Sequence, residues 1–365
     1  MVTAHRSLVA DLLAAVDAIT TDRAAAAGSA WVRRYTPPDP DDGGQFLLML
    51  KPELLSEAFA DASDGDGGLL GRVLDRLTTG RLRLGAVRVV GAAELTARRV
   101  VEHHYAVLNR VSTHGLDALP PNARHRLAER YAQDISSPDA VHARILGGHQ
   151  LLARRPDLTA TALDAFARNL PVAKAAAGVY ATELLLDGER LVVLNAFHPL
   201  QLAHFQQPGG AVAFLTCTTH RPTGLVRREV IGATDPAEAQ PGSVKHMLYQ
   251  DRSTFSEWRV CTRLNGVHLS PGPVEAMFTV QRYFTDDWSP MPLADTALGR
   301  RLLAAGADEH GLSALADNPV VEYGGGGHLF DVTEDLTVEE SEHILLRLLE
   351  SPPTGRPHGD TGTAA

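Results

Sequence analysis

The chain has 365 residues, 44% of them hydrophobic and 21% charged, with a formal net charge of −10. That length and composition suit one large globular domain or two, with ample material for a core. The negative balance argues against general nucleic-acid binding, which needs a basic footprint, and leaves room for a phosphate site that is only locally cationic.

Residues 1–27 place Leu8, Leu12, Leu13, Val16 and Ile19 at helical spacing and predict an amphipathic helix. Pro37-Pro38-Asp-Pro40-Asp-Asp-Gly-Gly44 then breaks the chain, its acidic residues reading as a solvated linker. Phe46–Leu50 is almost wholly apolar, as a strand covered on at least one face should be. Lys51 follows it directly, where an unpaired ammonium near the core would be costly. Asp61–Gly68 reads as a polar, Gly-rich loop, 69–80 as a helix, Leu82–Val90 as a second strand and 93–109 as helix. The Ala/Arg/Leu-rich stretch 121–176 reads as helical, with breaks at Ser136-Ser-Pro138, Gly147-Gly148 and Pro156. Within 182–194, two β-prone runs flank Asp187-Gly188, which signals a hairpin. Phe197–Phe205 is a short helix and Ala211–Thr216 a strand; Gly272–Tyr283 is expected to run through a helix into a last strand near Val280–Phe284. A helix at 296–305, a turn at Gly324–Gly327, an amphipathic helix at 338–350 and a disordered end complete the chain. The pairs His103/His104 and His198/His204 lack metal-ligand spacing and read as helix-surface polarity. Cys217 and Cys261 are too few for a disulfide framework, and no leader pattern is visible, so a cytoplasmic location is expected. No apolar run approaches the roughly 18 residues that would span a membrane.

The chemistry concentrates in Asn265-Gly-Val-His268-Leu-Ser270 and in an upstream segment, Arg228 through Thr234-Asp-Pro-Ala-Glu-Ala-Gln-Pro-Gly242-Ser-Val-Lys245. Together they set one histidine beside a guanidinium, a hydroxyl, an amide and an ammonium. A neutral imidazole can attack phosphorus, and histidine keeps a large neutral fraction near pH 7. The cations and donors can hold charge spread over phosphoryl oxygens.

In this arrangement the two segments resemble the nucleoside diphosphate kinase family. Gln45-Phe-Leu-Leu-Met-Leu-Lys51-Pro52 is similar to the family's first strand, which ends in Lys-Pro. The run beginning Gly68-Leu-Leu-Gly resembles its first helix, and Glu102-His-His-Tyr105 its Glu-x-His-Tyr segment. The resemblance implies an α+β fold: a ferredoxin-like βαββαβ antiparallel-sheet core interrupted by a mostly helical insertion that contains a β-hairpin. The organisation it implies is an N-terminal helix and linker at 1–44, core at 45–110, insertion at 111–208, core with the histidine at 209–284, an extension at 285–350 and a disordered tail at 351–365.

By the same resemblance His268 would carry the phosphoryl group, and Asn265 would contact a nucleotide hydroxyl or phosphate. Arg228 and Thr234 would clamp phosphates, the family spacing selecting Arg228 over neighbouring Arg227; Lys51 and Tyr105 would sit against the phosphates, with Ser270 in support. ATP would be the donor, and Mg²⁺ would be held through the phosphates and not by side chains. The partners expected are a nucleotide and a small-molecule acceptor, with no nucleic acid, no membrane and a homo-oligomeric assembly, a dimer.

Several positions depart from the family. Lys245 stands where arginine is usual, so Arg252, Arg259 or Arg263 is a possible replacement. Pro271 stands where aspartate is usual, and Thr279 falls where a glutamate would orient the histidine; Glu275 is the substitute at hand. The base-stacking phenylalanine has no counterpart, and Thr262 replaces a common valine. The phosphate site is retained while the base clamp is rebuilt, which is consistent with a specialised acceptor. Two alternatives stay open: a nucleotide-dependent enzyme using His268 as acid/base, and a nucleotide-binding module with weakened turnover.

Overall fold

A computed structural model describes residues 2–21, 28–60, 68–119, 121–131, 143–176, 178–255, 258–323 and 326–350. The 61–67 loop, the Ser136-Ser-Pro138 break, half of the Gly324–Gly327 turn and the 351–365 tail lie outside the described residues.

The fold is α+β, and its main sheet has five antiparallel strands: β1 (Ser29–Arg33), β2 (Gly44–Leu50), β3 (Arg83–Gly91), β8 (Ala211–Thr219) and β9 (Val267–Leu269), in the order β1-β3-β8-β2-β9. Strand periodicity explains why it is buried on both faces. In β2, Phe46, Leu48 and Leu50 enter one core while Leu47 and Met49 enter the other. In β8, Ala213 and Leu215 alternate in the same way with Val212 and Phe214. The first core is covered by helices Val2–Thr21 (Leu8, Leu12, Val16) and Gly68–Thr79 (Leu70, Val73, Leu77). The second is covered by Val100–His104, His198–Phe205 and Pro273–Tyr283. The molecule is therefore helices on sheet on helices.

The stretch expected to be a last strand, Val280–Phe284, is mostly helix. Helix Pro273–Tyr283 runs almost to its end because Met277, Val280 and Tyr283 recur at helical spacing and bury together. The edge strand is instead β9, so His268 sits on a strand.

The segment 111–208 was expected to be mostly helical with one hairpin. Besides its helices and that hairpin it holds two further strands, making a four-stranded sheet of order β4-β7-β6-β5, built from β4 (Ile145–Gly147), β5 (Val172–Ala176), β6 (Val179–Leu186) and β7 (Glu189–Leu194). The hairpin is β6–β7, and Asp187 and Gly188 both take positive φ (49° and 84°), as a two-residue turn of this kind requires. β5 reads as helix by its alanines, but pairing with β6 overrides that propensity. Helices Pro121–Tyr131, Gly148–Arg154 and Ala160–Arg168 pack around this sheet.

The C-terminal helices Ala297–Ala304, Glu309–Ala314 and Val338–Glu350 form a third core against Val274, Met277 and Phe278. No helix among the described residues is long and apolar enough to cross a membrane.

Candidate active site

A cleft of about 1440 Å³ opens between the main sheet, the inserted sheet and the C-terminal segment. It is lined by Lys51, His104, Tyr105, Arg227, Arg228, Thr234, Lys245, Asn265, His268 and Glu275, among others. The structure thus brings the sequence-derived residues to one place, apart from Ser270.

Alternation along β9 aims His268. Val267 and Leu269 enter the first core, so the imidazole between them points to the opposite face. There it meets His104 edge-on, with ring centroids 4.7 Å apart, and Tyr105 at 5.8 Å. Its Nε2 is buried and hydrogen-bonds to no described residue. The residue as a whole is partly exposed and lines the cleft. Burial pushes the His268 pKa well below its ordinary value, helped by His104, Lys51, Lys245 and Arg227. The ring is neutral near pH 7, the form that can attack an electrophile.

The turn before β9 fixes the cationic wall. Gly266 takes φ +75°, and a Cβ there would lie 2.7 Å from Trp258 and 2.8 Å from Leu248, so the chain can reverse here only with glycine. Asn265 is buried, and its amide donates to the carbonyls of Thr234 and Thr262, both at 3.0 Å. Its Oδ1 accepts from Lys51 Nζ at 2.7 Å, and Lys51 also donates to the Arg263 carbonyl at 3.2 Å. Asn265 therefore fastens the loop carrying Thr234 to the end of β2; both of its amide hydrogens are already engaged. Thr234 is exposed at the cleft rim. Ser270 is fully buried and touches the β2 backbone, its Oγ accepting from Leu47 N at 3.1 Å, so it secures β9 and has no direct part at the imidazole.

Lys245 lies in a helix, Val244–Gln250, capped by Ser243. Burial lowers its pKa to about 7, with Lys51 and Arg227 adding repulsion. Of the two adjacent arginines, Arg227 acts on His268, Lys245 and Glu275, whereas Arg228 is exposed and pairs with Glu229 at 3.2 Å. Both lie on the π-helical stretch Val226–Ile231, whose turn differs from the α-helical period, so counting along the sequence cannot assign the facing arginine. Arg227 is held by Glu334 at 2.7 Å and Asp335 at 2.6 Å, both from the C-terminal extension. Among the arginines considered as replacements, Arg263 lines the cleft, while Arg252 stacks on Tyr249 at 4.0 Å.

The sequence reading of His104 as surface polarity is corrected by the structure. The helix breaks at Tyr105, turning His104 inward, where both ring nitrogens are buried without a hydrogen-bond partner among the described residues. Burial and then Lys51 lower its pKa to about 4. Glu275, in the first turn of the helix after β9, has a carboxylate oxygen within 4.8 Å of ligand nitrogens of both histidines. Burial, with Asp331 and Glu334, raises its pKa to about 8. Thr279 turns back on its own helix, donating to the Glu275 carbonyl at 2.8 Å. His204, also read as surface polarity, binds Glu53 at 2.8 Å, and Glu53 in turn accepts from Gly266 N at 3.0 Å. Burial alone would raise Glu53, but His204 and Lys51 outweigh it and keep the carboxylate below its usual range. No sequence signal pointed to Glu53.

No protein-family model matches this chain, and no curated protein matches it. Among solved structures the chain is similar to an NDP kinase from Pyrobaculum aerophilum, at 15% sequence identity and a TM-score of 0.30, over 68% of this chain and 100% of that one. A likeness at that level carries no argument about function.

Proposed function

We propose that this protein is a phosphotransferase that carries the γ-phosphoryl group of ATP on His268 to a nucleoside diphosphate or a specialised phosphate-bearing acceptor. The observation that carries the proposal is a neutral imidazole, its Nε2 buried, that lines a cleft shared with Lys51, Lys245 and Arg227. The order β3-β8-β2-β9, all antiparallel, with helices after β2 and between β8 and β9, supports reading the central sheet as a ferredoxin-like framework.

In the proposed reaction the Nδ1 lone pair forms a bond to the γ-phosphorus as the bond to the bridging oxygen breaks, and ADP leaves. An acceptor oxygen then attacks the same phosphorus and releases the histidine. Lys51, Lys245 and Arg227 hold the charge on the equatorial oxygens, and Tyr105 packs against the imidazole. Mg²⁺ bound with the nucleotide would supply further charge neutralisation, and Asp331, Glu334 and Asp335 at the cleft are the carboxylates that could meet it. The insertion contributes Tyr180, on β6, and Phe197, in the turn after β7, to the cleft, with ring centroids 5.8 Å apart, and these are the proposed surface for a base or another flat acceptor.

Incubation with γ-labelled ATP tests the reading. Acid-labile label on the wild type and none on His268→Ala is expected; no label, or label that survives the substitution, overturns it. The pairing of Arg227 with Glu334 and Asp335 favours a second reading, a nucleotide-binding module with weakened turnover. Nucleotide binding without a phosphoryl adduct in the intact-protein mass would select it.

A further inference from the structure

Three side chains from separate elements converge behind the proposed nucleophile: His104 at the end of its helix, His268 on β9, and Glu275 in the first turn of Pro273–Tyr283. One ligand atom from each lies within 4.8 Å of the other two. Three of the four imidazole nitrogens here, both on His104 and Nε2 on His268, are shut off from solvent and hydrogen-bond to no described residue. Buried polar atoms rarely stay unpaired, and each such case calls for a missing partner. A cation that accepts the lone pair of one nitrogen from each ring, with a carboxylate beside it, supplies a partner for two of the three.

We propose that His104, His268 Nε2 and Glu275 form a binding site for a divalent transition-metal cation of the zinc type. Two imidazoles and one carboxylate suit Zn²⁺ and its neighbours better than Mg²⁺ or Ca²⁺, which take oxygen ligands. Metal–ligand bonds of about 2.0–2.2 Å require the three atoms to draw together by side-chain rotation from their present spacing. The site stands where Glu275, near Asp331 and Glu334, meets the cationic side, Lys51 with Lys245 and Arg227, so the carboxylate has to offset repulsion of a bound cation by those groups. The remaining coordination positions are left for water or a ligand.

The location has a consequence that rests on the phosphohistidine reading. A metal on Nε2 leaves the proton of the neutral ring on Nδ1, which then has no lone pair for phosphorus. Metal loading and phosphorylation of His268 exclude one another, and the cation acts as a brake on transfer.

The test uses the full-length protein, stripped with a chelator and titrated with Co²⁺ while its visible absorption is followed. One saturating equivalent, displaced by Zn²⁺, is expected. Binding should weaken at least about tenfold in His104→Ala and in Glu275→Gln, with folding checked by circular dichroism, and persist in the control His103→Ala. No saturable spectrum, or equal binding in folded His104→Ala and Glu275→Gln, overturns the site. Saturable Co²⁺ binding in a protein that takes no label from ATP upholds the metal site and sinks the phosphohistidine reading; label without Co²⁺ binding does the reverse.

Discussion

Lys51 Nζ donates to Asn265 Oδ1 at 2.7 Å, joining the end of β2 to the turn that precedes β9 across 214 positions of sequence. The same amide holds the carbonyls of Thr234 and Thr262, so one side chain ties a strand end, the loop carrying Thr234 and the histidine turn together. Asn265→Ala would remove the shorter of two hydrogen bonds from the buried Lys51 ammonium and the amide donors to two part-buried carbonyls. A loss of about 2 kcal/mol is expected, since an unsatisfied buried group costs roughly 1–3 kcal/mol. Chemical denaturation measures it; a change below about 0.5 kcal/mol would show that water replaces the amide without penalty.

Lys245 makes the site sensitive to pH. Its pKa is lowered from 10.5 to about 7, so the lysine is partly neutral at neutral pH and a bound phosphate should restore its proton. Triphosphate affinity is expected to fall as pH rises above 7, with proton uptake on binding at pH 8. Calorimetry in buffers of different ionisation enthalpy detects that uptake, which should vanish in Lys245→Met.

The stability effect has the opposite pH trend. A lysine whose folded pKa is depressed adds no penalty above its unfolded pKa of 10.5, a growing penalty as pH falls toward 7, and a constant one below. Lys245→Met should therefore raise the melting temperature at pH 6 and leave it nearly unchanged at pH 11. Equal effects at both values would contradict the shift.

Arg227 and Arg228 separate cleanly by mutation. Arg227→Ala should reduce phosphoryl labelling by about 100-fold or more, on the scale of losing a charged donor at a transferring phosphate, and exposed Arg228→Ala by less than about threefold. Asp335→Asn, which releases one of the two carboxylates on Arg227, should tighten triphosphate binding. Quantitative labelling of the three variants decides this, and a larger loss in Arg228→Ala would reverse the assignment.

Arg88 is a separate determinant of stability. It is 1% exposed, lies over Trp288 at 4.2 Å and Trp31 at 5.2 Å, and donates to the Tyr283 carbonyl at 2.9 Å and to Ser29 Oγ at 3.0 Å. Arg88→Ala removes the packed side chain and orphans the carbonyl ending a core helix. A loss of about 3 kcal/mol or more is expected, with altered tryptophan fluorescence.

Elements set by local periodicity were readable in advance. The strands at 46–50, 82–90 and 211–216, the Asp187-Gly188 turn and the helix at 338–350 carry their signal in neighbouring residues. The candidate site was partly readable through the resemblance, whose short motifs contain Lys51, Asn265 and His268. Val172–Ala176 and Val280–Tyr283 were misread because their pairing and packing partners are distant in sequence.

By itself the sequence determined the alternating strands, the hairpin and the residue types from which a phosphate site can be built. Only the tertiary structure decided that His104, 164 positions before His268, stacks against it, and that Glu275 approaches both rings. It also decided that Arg227 and not Arg228 acts on the imidazole, because the π-helical turn breaks the counting rule that spacing relies on. The physical reason is common to all three. Burial and partner choice depend on which surfaces meet when sheet and helices pack, and those meetings join positions between which no local pattern runs.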